Sequence, residues 1–265
     1  MTSRDLTLAL KQAGIDLPAT DARLLISHYF GMEAGEILAH PEKDYTGDAF
    51  LSAVEKRKQR LPLQHILGEA YFYGNRFLVS PDCLIPRADT ELLVEEACRL
   101  LPKNARFADF CTGSGCIALS VLANRSDTSA LAVDVSAAAL EMAKKNAEAL
   151  ELSSRVSFLC ADLFADALPA DIPHYILSNP PYIRADVIPT LAPELAHEPK
   201  LALDGGEDGL RFYQAFLERF SPDFFLFEIG FDQGAAVAAL GEAHGYHATV
   251  KKDLGGCDRL VILSR

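Results

Sequence analysis

Arg106-Phe107-Ala108-Asp109-Phe110-Cys111-Thr112-Gly113-Ser114-Gly115-Cys116 is the stretch whose reading decides the fold. Arg106-Phe107-Ala108 reads as a short strand, and Ile117-Ala118-Leu119-Ser120-Val121-Leu122-Ala123 continues as a helical run. Strand, glycine turn and helix in that order open a nucleotide-type βαβ unit. Gly113 and Gly115 allow a tight turn and a close backbone approach to a ligand, with no Cβ in the way. The third glycine of a dinucleotide fingerprint is missing, and no Gly-Lys-Ser/Thr follows. Neither a pyrophosphate cradle nor a P-loop is therefore indicated. The candidate ligand contacts on the loop are Cys111, Thr112, Gly113, Ser114 and Gly115.

Three further strands follow, each ending in a polar group. Ser129-Ala130-Leu131-Ala132-Val133 ends in Asp134. An acid about 20 positions beyond such a loop, at a strand end, can take both hydroxyls of a ribose. Asp134 can equally cap a helix that starts near Ser136. Val156-Ser157-Phe158-Leu159-Cys160 leads into Ala161-Asp162-Leu163-Phe164. Asp162 can accept from an exocyclic amine while Leu163 and Phe164 cover an adenine face, or it is a plain loop acid. His174-Tyr175-Ile176-Leu177-Ser178 ends in Asn179-Pro180-Pro181-Tyr182. The Asn offers a carbonyl acceptor, the first Pro keeps a carbonyl without an N–H, and the Tyr offers a planar face. Two acceptors can hold an NH₂ group by its hydrogens while the ring stacks on the attached π-system. Asn-Pro also opens ordinary turns. The joint order resembles the layout of class I S-adenosylmethionine-dependent methyltransferases whose acceptor is an amino or amide nitrogen.

Outward from this centre, residues from about 83 alternate strands and helices, as a parallel α/β sheet requires. Later strands are expected at 224–229, 246–250 and 259–264. The N-terminal part reads as helices at 6–13, 20–30, 34–39 and 48–61, punctuated by Pro18, Pro41 and Pro62. Ala22, Leu25, Ile26 and Tyr29 share one helical face, and Phe50, Leu51 and Val54 another. From Ile66 the period changes: Tyr71-Phe72-Tyr73, the turn Gly74-Asn75, then Phe77-Leu78-Val79 read as a hairpin. The expected organisation is a helical domain at 1–65, a β-hairpin linker at 66–82 and the α/β domain at 83–265.

Composition narrows the class. The chain has 265 residues and 49% hydrophobic content, ample for a packed core. No run approaches 18 apolar residues, and Met1-Thr2-Ser3-Arg4-Asp5 opens no signal-peptide apolar region. A cytoplasmic location away from any membrane is expected. Cysteines 83, 98, 111, 116, 160 and 257 form no Cys-x-x-Cys pair, and the seven histidines are scattered. Reduced thiols and no metal site are expected. The net charge of −12 disfavours direct binding of DNA. One basic cluster, Lys56-Arg57-Lys58-Gln59-Arg60, reads as a solvated helix face or as a docking patch for an acidic partner.

The chain closely resembles the protein-(glutamine-N5) methyltransferases that modify peptide chain release factors, along nearly its whole length. The resemblance is carried by Gly68-Glu69-Ala70-Tyr71-Phe72-Tyr73-Gly74, Leu84-Ile85-Pro86-Arg87-Ala88-Asp89-Thr90-Glu91 and Asn179-Pro180-Pro181-Tyr182-Ile183. It continues in Glu198-Pro199, Ala202-Leu203-Asp204-Gly205-Gly206, Glu228-Ile229-Gly230 and Arg259-Leu260-Val261. It implies a class I methyltransferase fold, α/β with a seven-stranded, mostly parallel sheet whose final strand inserts antiparallel. The small N-terminal helical domain would recognise the substrate. The implied cofactor is S-adenosyl-L-methionine, leaving as S-adenosyl-L-homocysteine, held by Cys111, Thr112, Gly113, Ser114, Gly115, Asp134, Asp162, Leu163 and Asn179.

The implied acceptor is the glutamine of a Gly-Gly-Gln loop in class 1 release factors. Asn179, Pro180 and Tyr182 would be catalytic, Pro181 would fix the loop, and a monomer is expected. Three positions depart from the family: Ala88 stands where Pro is usual, Cys111 where Gly is usual, and Leu163 where an aromatic is frequent. Pro86 and Arg87 lie beside the cofactor or open a helix capped by Asp89 or Thr90, and both can hold. The tetrapeptide is shared with enzymes that methylate a ribosomal-protein glutamine or an adenine amine, which stand as alternatives beside a non-catalytic cofactor-binding adaptor.

Overall fold

Five consecutive residues, Phe224–Glu228, are buried along one strand. Such a run belongs to a strand covered on both faces, where alternation between apolar and polar side chains is lost. In the computed structural model, which describes residues 1–165 and 167–265, that strand lies within a seven-stranded sheet. The chain divides into two units, Met1–Glu69 with Ala192–His197, and Ala70–Leu191 with Glu198–Arg265.

The first unit is helical: α1 (Ser3–Gln12), α2 (Pro18–Phe30), α3 (Ala34–Ala39), α4 (Asp48–Lys58) and α5 (Leu63–Leu67). Thr2 and Asp5 form a reciprocal capping box at the start of α1. Leu6, Leu10, Leu25, Ile26, Phe50 and Val54 make up much of its core. The fourth helix was expected to reach residue 61; it ends at Lys58, and Arg60 turns into the left-handed region at φ 70°. Pro62 then starts α5, a five-residue helix where the hairpin had been expected to begin.

The basic cluster is neither a solvated face nor an open patch throughout. Arg57 is 7% exposed, and its Nε donates to Asp21 Oδ2 at 2.7 Å. Its Nη1 donates to Glu194 Oε1 at 3.1 Å, and Arg60 Nη2 to Glu194 Oε2 at 2.8 Å. Lys58 pairs with Glu55 on the same helix. The arginines thus tie Ala192–His197 to the helices of its own unit.

The second unit opens with a hairpin, β1 (Glu69–Phe72) and β2 (Asn75–Leu78). Its turn is Tyr73-Gly74, one residue earlier than expected, with φ of 47° and 75°. Both signs suit the two-residue turns that match strand twist. A 3₁₀ turn (Ala88–Thr90) leads into α6 (Glu91–Leu100). Then follow β3 (Arg106–Phe110), α7 (Cys116–Asn124), β4 (Ser129–Asp134), α8 (Ala137–Ala149), β5 (Val156–Cys160) and β6 (Tyr175–Ser178). After short 3₁₀ turns come α9 (Arg211–Arg219), β7 (Phe224–Glu228), α10 (Gly234–Ala243), β8 (His247–Lys252) and β9 (Asp258–Ser264).

The sheet order is β5-β4-β3-β6-β7-β9-β8. Every pairing is parallel except those of β9, which runs against both β7 and β8. Phe224 and Leu226 face one core with Phe107, Leu119 and Leu177, while Phe225 and Phe227 face the other with Phe110, Phe216 and Val237. Strand order reverses between β3 and β6. A crevice opens at the carboxyl ends of strands at such a switch point, and ligands bind there in open α/β sheets.

Candidate active site

The two strands at the switch point are joined at their carboxyl ends, where Ser178 Oγ donates to the Phe110 carbonyl at 2.7 Å. Beyond Phe110 the glycine loop turns with φ of 57° at Cys111, 55° at Gly113 and 81° at Gly115. Cys111 therefore holds a left-handed conformation, which costs a residue with a Cβ about 1–2 kcal/mol. Beneath the loop lies Asp109, fully buried. Its Oδ2 accepts from the Thr112 hydroxyl at 2.6 Å and from the Ala118 N–H at 3.1 Å, while Oδ1 is buried without a hydrogen bond. Burial pushes this carboxyl up to about 7.

A cavity of about 440 Å³ opens over these strand ends. Of the residues singled out in the sequence, Cys111, Gly113, Asp134, Asp162, Leu163, Asn179 and Pro181 line it. Asp134 Oδ2 accepts from the Gly113 N–H and Oδ1 from the Ser136 N–H, both at 2.9 Å. Burial raises its pKa and those backbone donors oppose the rise. Asp134 is not the cap of α8; that position belongs to Ser136, whose side chain accepts from the Ala139 N–H. Asp162 Oδ1 accepts from the Phe164 N–H at 2.8 Å, bending the loop so that Leu163 and Phe164 both reach the cavity. Phe164 packs edge-on against Phe212 and lies under the Arg211 guanidinium, 4.0 Å from the ring centre.

Thr112, Ser114 and Gly115 stand outside the cavity lining. The Thr112 hydroxyl is taken by Asp109, Ser114 is buried with its carbonyl accepting from Asn146, and Gly115 caps α7. A Cβ on Gly115 would meet Ala143 and Leu119 at 3.1 Å, so this glycine serves close packing.

The tetrapeptide after β6 is held from several sides. Asn179 Nδ2 donates to Thr90 Oγ1 at 3.2 Å. Thr90 occupies the N-cap position of α6 but its side chain does not cap that helix, since the hydroxyl faces Asn179 instead. Pro180 and Pro181 are buried. The Tyr182 hydroxyl donates to Glu228 Oε1 at 3.3 Å, and burial raises its pKa, with the nearby Glu228 charge adding to the rise. The Tyr182 carbonyl accepts from Gln233 Nε2 at 3.0 Å, and the same nitrogen donates to the Gly209 carbonyl. Gln233 Oε1 in turn accepts from the Gly230 N–H. Ile183 forms a parallel bridge with Asp204. Gly205 lies so close that a Cβ there would sit 2.8 Å from the Tyr182 backbone.

Thr90, Glu228, Gln233 and the 204–209 loop thus shape the site, and none was assigned a role in it from the sequence, where Thr90 was read with Asp89 only as a candidate helix cap. Phe212 and Arg211 of α9 were also unforeseen. Thr90, Glu228 and residues 204–206 carried a sequence signal only as members of the motifs Leu84–Glu91, Glu228–Gly230 and Ala202–Gly206, and Arg211, Phe212 and Gln233 carried none. Glu198, six residues before that glycine loop's Asp204, is 6% exposed; Oε2 accepts from the Ile85 N–H at 2.9 Å and Oε1 pairs with Arg87. Among the described residues, no group of three His, Cys, Asp or Glu side chains is placed to hold a metal ion, and no helix is long and apolar enough to cross a membrane.

Residues 3–68 match the family model described as the PrmC N-terminal domain, and residues 88–207 match the methyltransferase small domain. A release factor glutamine methyltransferase of Cereibacter sphaeroides is 43% identical, covering 95% of this chain and 93% of the relative. One from Caulobacter vibrioides is 39% identical, covering 96% and 91%. Among solved structures, the human Mettl16 catalytic domain in complex with the MAT2A 3′UTR hairpin 1 superposes with a TM-score of 0.58. It covers 82% of this chain and 81% of that one at 17% identity, a likeness of fold.

Proposed function

The chain belongs to the release factor glutamine methyltransferases, and from that membership we propose that it methylates the N5 side-chain amide of the glutamine in the Gly-Gly-Gln motif of class 1 peptide chain release factors, using S-adenosyl-L-methionine. The observation that carries the proposal is Asn179, on the rim of the cavity, with its Nδ2 engaged by Thr90. That bond leaves Oδ1 as the group an acceptor NH₂ would meet.

The cavity suits the cofactor. Asp134 keeps lone pairs for a ribose beyond its two backbone bonds, and Leu163 and Phe164 provide apolar cover for an adenine beside Asp162. When bound, S-adenosylmethionine supplies a methyl group made electrophilic by its sulfonium. The chain's part is to prepare the nucleophile. An amide nitrogen is poor, because its lone pair is delocalised into the carbonyl. Asn179 Oδ1 and the Pro180 carbonyl accept its two hydrogens, turn them out of the amide plane and free the lone pair. Orientation of this kind is worth up to about 7–11 kcal/mol in favourable cases. The same two acceptors stabilise the positive charge that develops on nitrogen, and the proton then leaves to solvent. Tyr182 backs the amide plane and Pro181 stiffens the loop. The reading describes a monomeric, cytoplasmic enzyme acting on a protein, and a net charge of −12 supports a protein over DNA.

The test is methyl incorporation from labelled S-adenosylmethionine into a purified class 1 release factor. Its Gly-Gly-Ala variant, a ribosomal-protein fraction and DNA run in parallel. Label in the wild-type factor alone is expected; label only in DNA or ribosomal protein would overturn the substrate. Asn179→Ala is expected to lose turnover by about 10²–10³-fold while cofactor affinity holds. Equal loss of both would make Asn179 structural.

A further inference from the structure

Arg211, the first residue of α9, carries a guanidinium 4.0 Å over the centre of the Phe164 ring, and both residues line the cavity. Its neighbours set its course. The stem passes Gly206, where an added Cβ would stand 3.5 Å from Arg211 Cβ and Cδ. Phe212 packs edge-on against Phe164, with ring centres 4.9 Å apart. Among the described residues the Arg211 guanidinium has no acidic partner, whereas Arg184 and Arg259 pair with Asp186 and Asp253. Asp204 lines the same cavity, yet its Oδ1 accepts from the Gly206 N–H and its Oδ2 stands 3.7 Å from Lys200. Ion pairing therefore gives no reason for a cation at this point of the wall.

The chemistry of the cofactor decides which property of the arginine counts. S-adenosylmethionine carries a sulfonium and an ammonium against one carboxylate, so it is itself a cation and gains nothing from the charge of another. Besides charge, an arginine offers a planar face that stacks on π-systems and five N–H donors in a fixed fork. An adenine is a flat π-system edged with acceptor nitrogens, and guanidinium planes are among the surfaces on which bases stack. Leu163, on the same wall, presents an aliphatic side chain with no such face.

We propose that Arg211 is a cofactor-binding residue whose guanidinium, backed by Phe164, lies on the adenine and supplies the planar cover that Leu163 lacks. This rests on the cofactor proposed above, and it adds a residue of α9 to the glycine loop and the strand-end acids. The contact is made to the nucleoside alone. It strengthens binding equally before and during methyl transfer, and so leaves the chemical step untouched.

Arg211→Ala and Arg211→Lys test it. Dissociation constants of S-adenosylmethionine, S-adenosylhomocysteine and adenosine are measured by calorimetric titration, and kcat at saturating cofactor on a class 1 release factor. Arg211→Ala is expected to weaken all three ligands by the same factor, about tenfold, the scale of a partly desolvated cation–π contact. Arg211→Lys keeps the charge without the plane and should bind almost as weakly. In both variants kcat should hold, with the loss confined to the KM for the cofactor. Arg211→Lys with wild-type affinity would reduce Arg211 to a point charge and overturn the proposal. Unchanged cofactor affinity in Arg211→Ala would also overturn it, and a raised KM for the release factor beside it would put the guanidinium on the protein substrate. A loss that spares adenosine would move the contact to the amino-acid tail, again against it. Arg211 is exposed, so neither variant threatens the fold. A wild-type chain that binds none of the three ligands would instead overturn the cofactor reading, and this assignment with it.

Discussion

Gly205 shows how much a single residue can carry in this site. A Cβ there would lie 2.8 Å from the Tyr182 Cα and carbonyl carbon, backbone that is held in turn by Gln233 and by the Ile183–Asp204 bridge. Gly205→Ala is expected to push the tetrapeptide out of place and lower kcat by about 10²-fold, at a stability cost of about 1–3 kcal/mol. Steady-state kinetics and a denaturant titration check both parts. A fully active variant would mean that the loop yields without consequence. At this scale the sequence was partly legible. Asn179-Pro180-Pro181-Tyr182 declared itself by composition and by its place after an apolar run, and Asp134 by its spacing from the glycine loop. Thr90, Glu228 and Gln233 did not, because their meaning lies in contacts 46 to 89 residues away along the chain. Thr90 was read, with Asp89 as the alternative, as a helix cap, which is what a threonine at that position usually does, and its hydroxyl instead meets Asn179.

Elements were legible where burial was strong. The seven strands of the sheet match the runs read in the sequence to within a few residues, most plainly β3, β4, β6 and β7, because parallel strands covered on both faces leave long hydrophobic stretches. Two elements misled. The helix α5 has only five residues after Pro62, too short to show a period. The charge run at the end of α4 looked solvated because its partners, Asp21 and Glu194, are 36 and 137 residues away. Arg57 joins them inside the helical unit with its side chain 8% exposed. Removing one partner from such a buried pair strands the other charge and costs about 3–5 kcal/mol. Arg57→Ala is therefore expected to destabilise the helical unit by that order. Lys56→Ala, on the neighbouring residue, should change stability by no more than about 0.5 kcal/mol. Urea denaturation of both variants checks the contrast, and equal effects would return Arg57 to the surface role first read from the sequence.

At the scale of the whole molecule, two buried carboxyls make the stability of the fold depend on pH. Burial raises Glu228 to about 7 in the folded chain, against 4.5 as its ordinary value, and Asp109 likewise to about 7 from 3.8. Between pH ~4 and ~7 these two groups make the folded state hold more protons than the unfolded one. Their contribution to stability is then fully present at the acid end and is lost as pH rises through the folded pKa. Glu228→Gln removes one of them while keeping the side chain's shape. Its stability should come closest to the wild type's at pH ~4, below the ordinary carboxyl value, where Glu228 is protonated in both states. At pH 8 it should exceed the wild type's by up to about 3 kcal/mol, the free energy of the pKa rise. Chemical denaturation at the two pH values checks this. A variant less stable than wild type at pH 8 would mark the carboxylate as a structural anchor. A gain in stability at pH 8 is what an acid kept in the core for something other than stability should give. The acid weakens the fold that holds it, and the Tyr182 hydroxyl that donates to it ties that cost to the tetrapeptide.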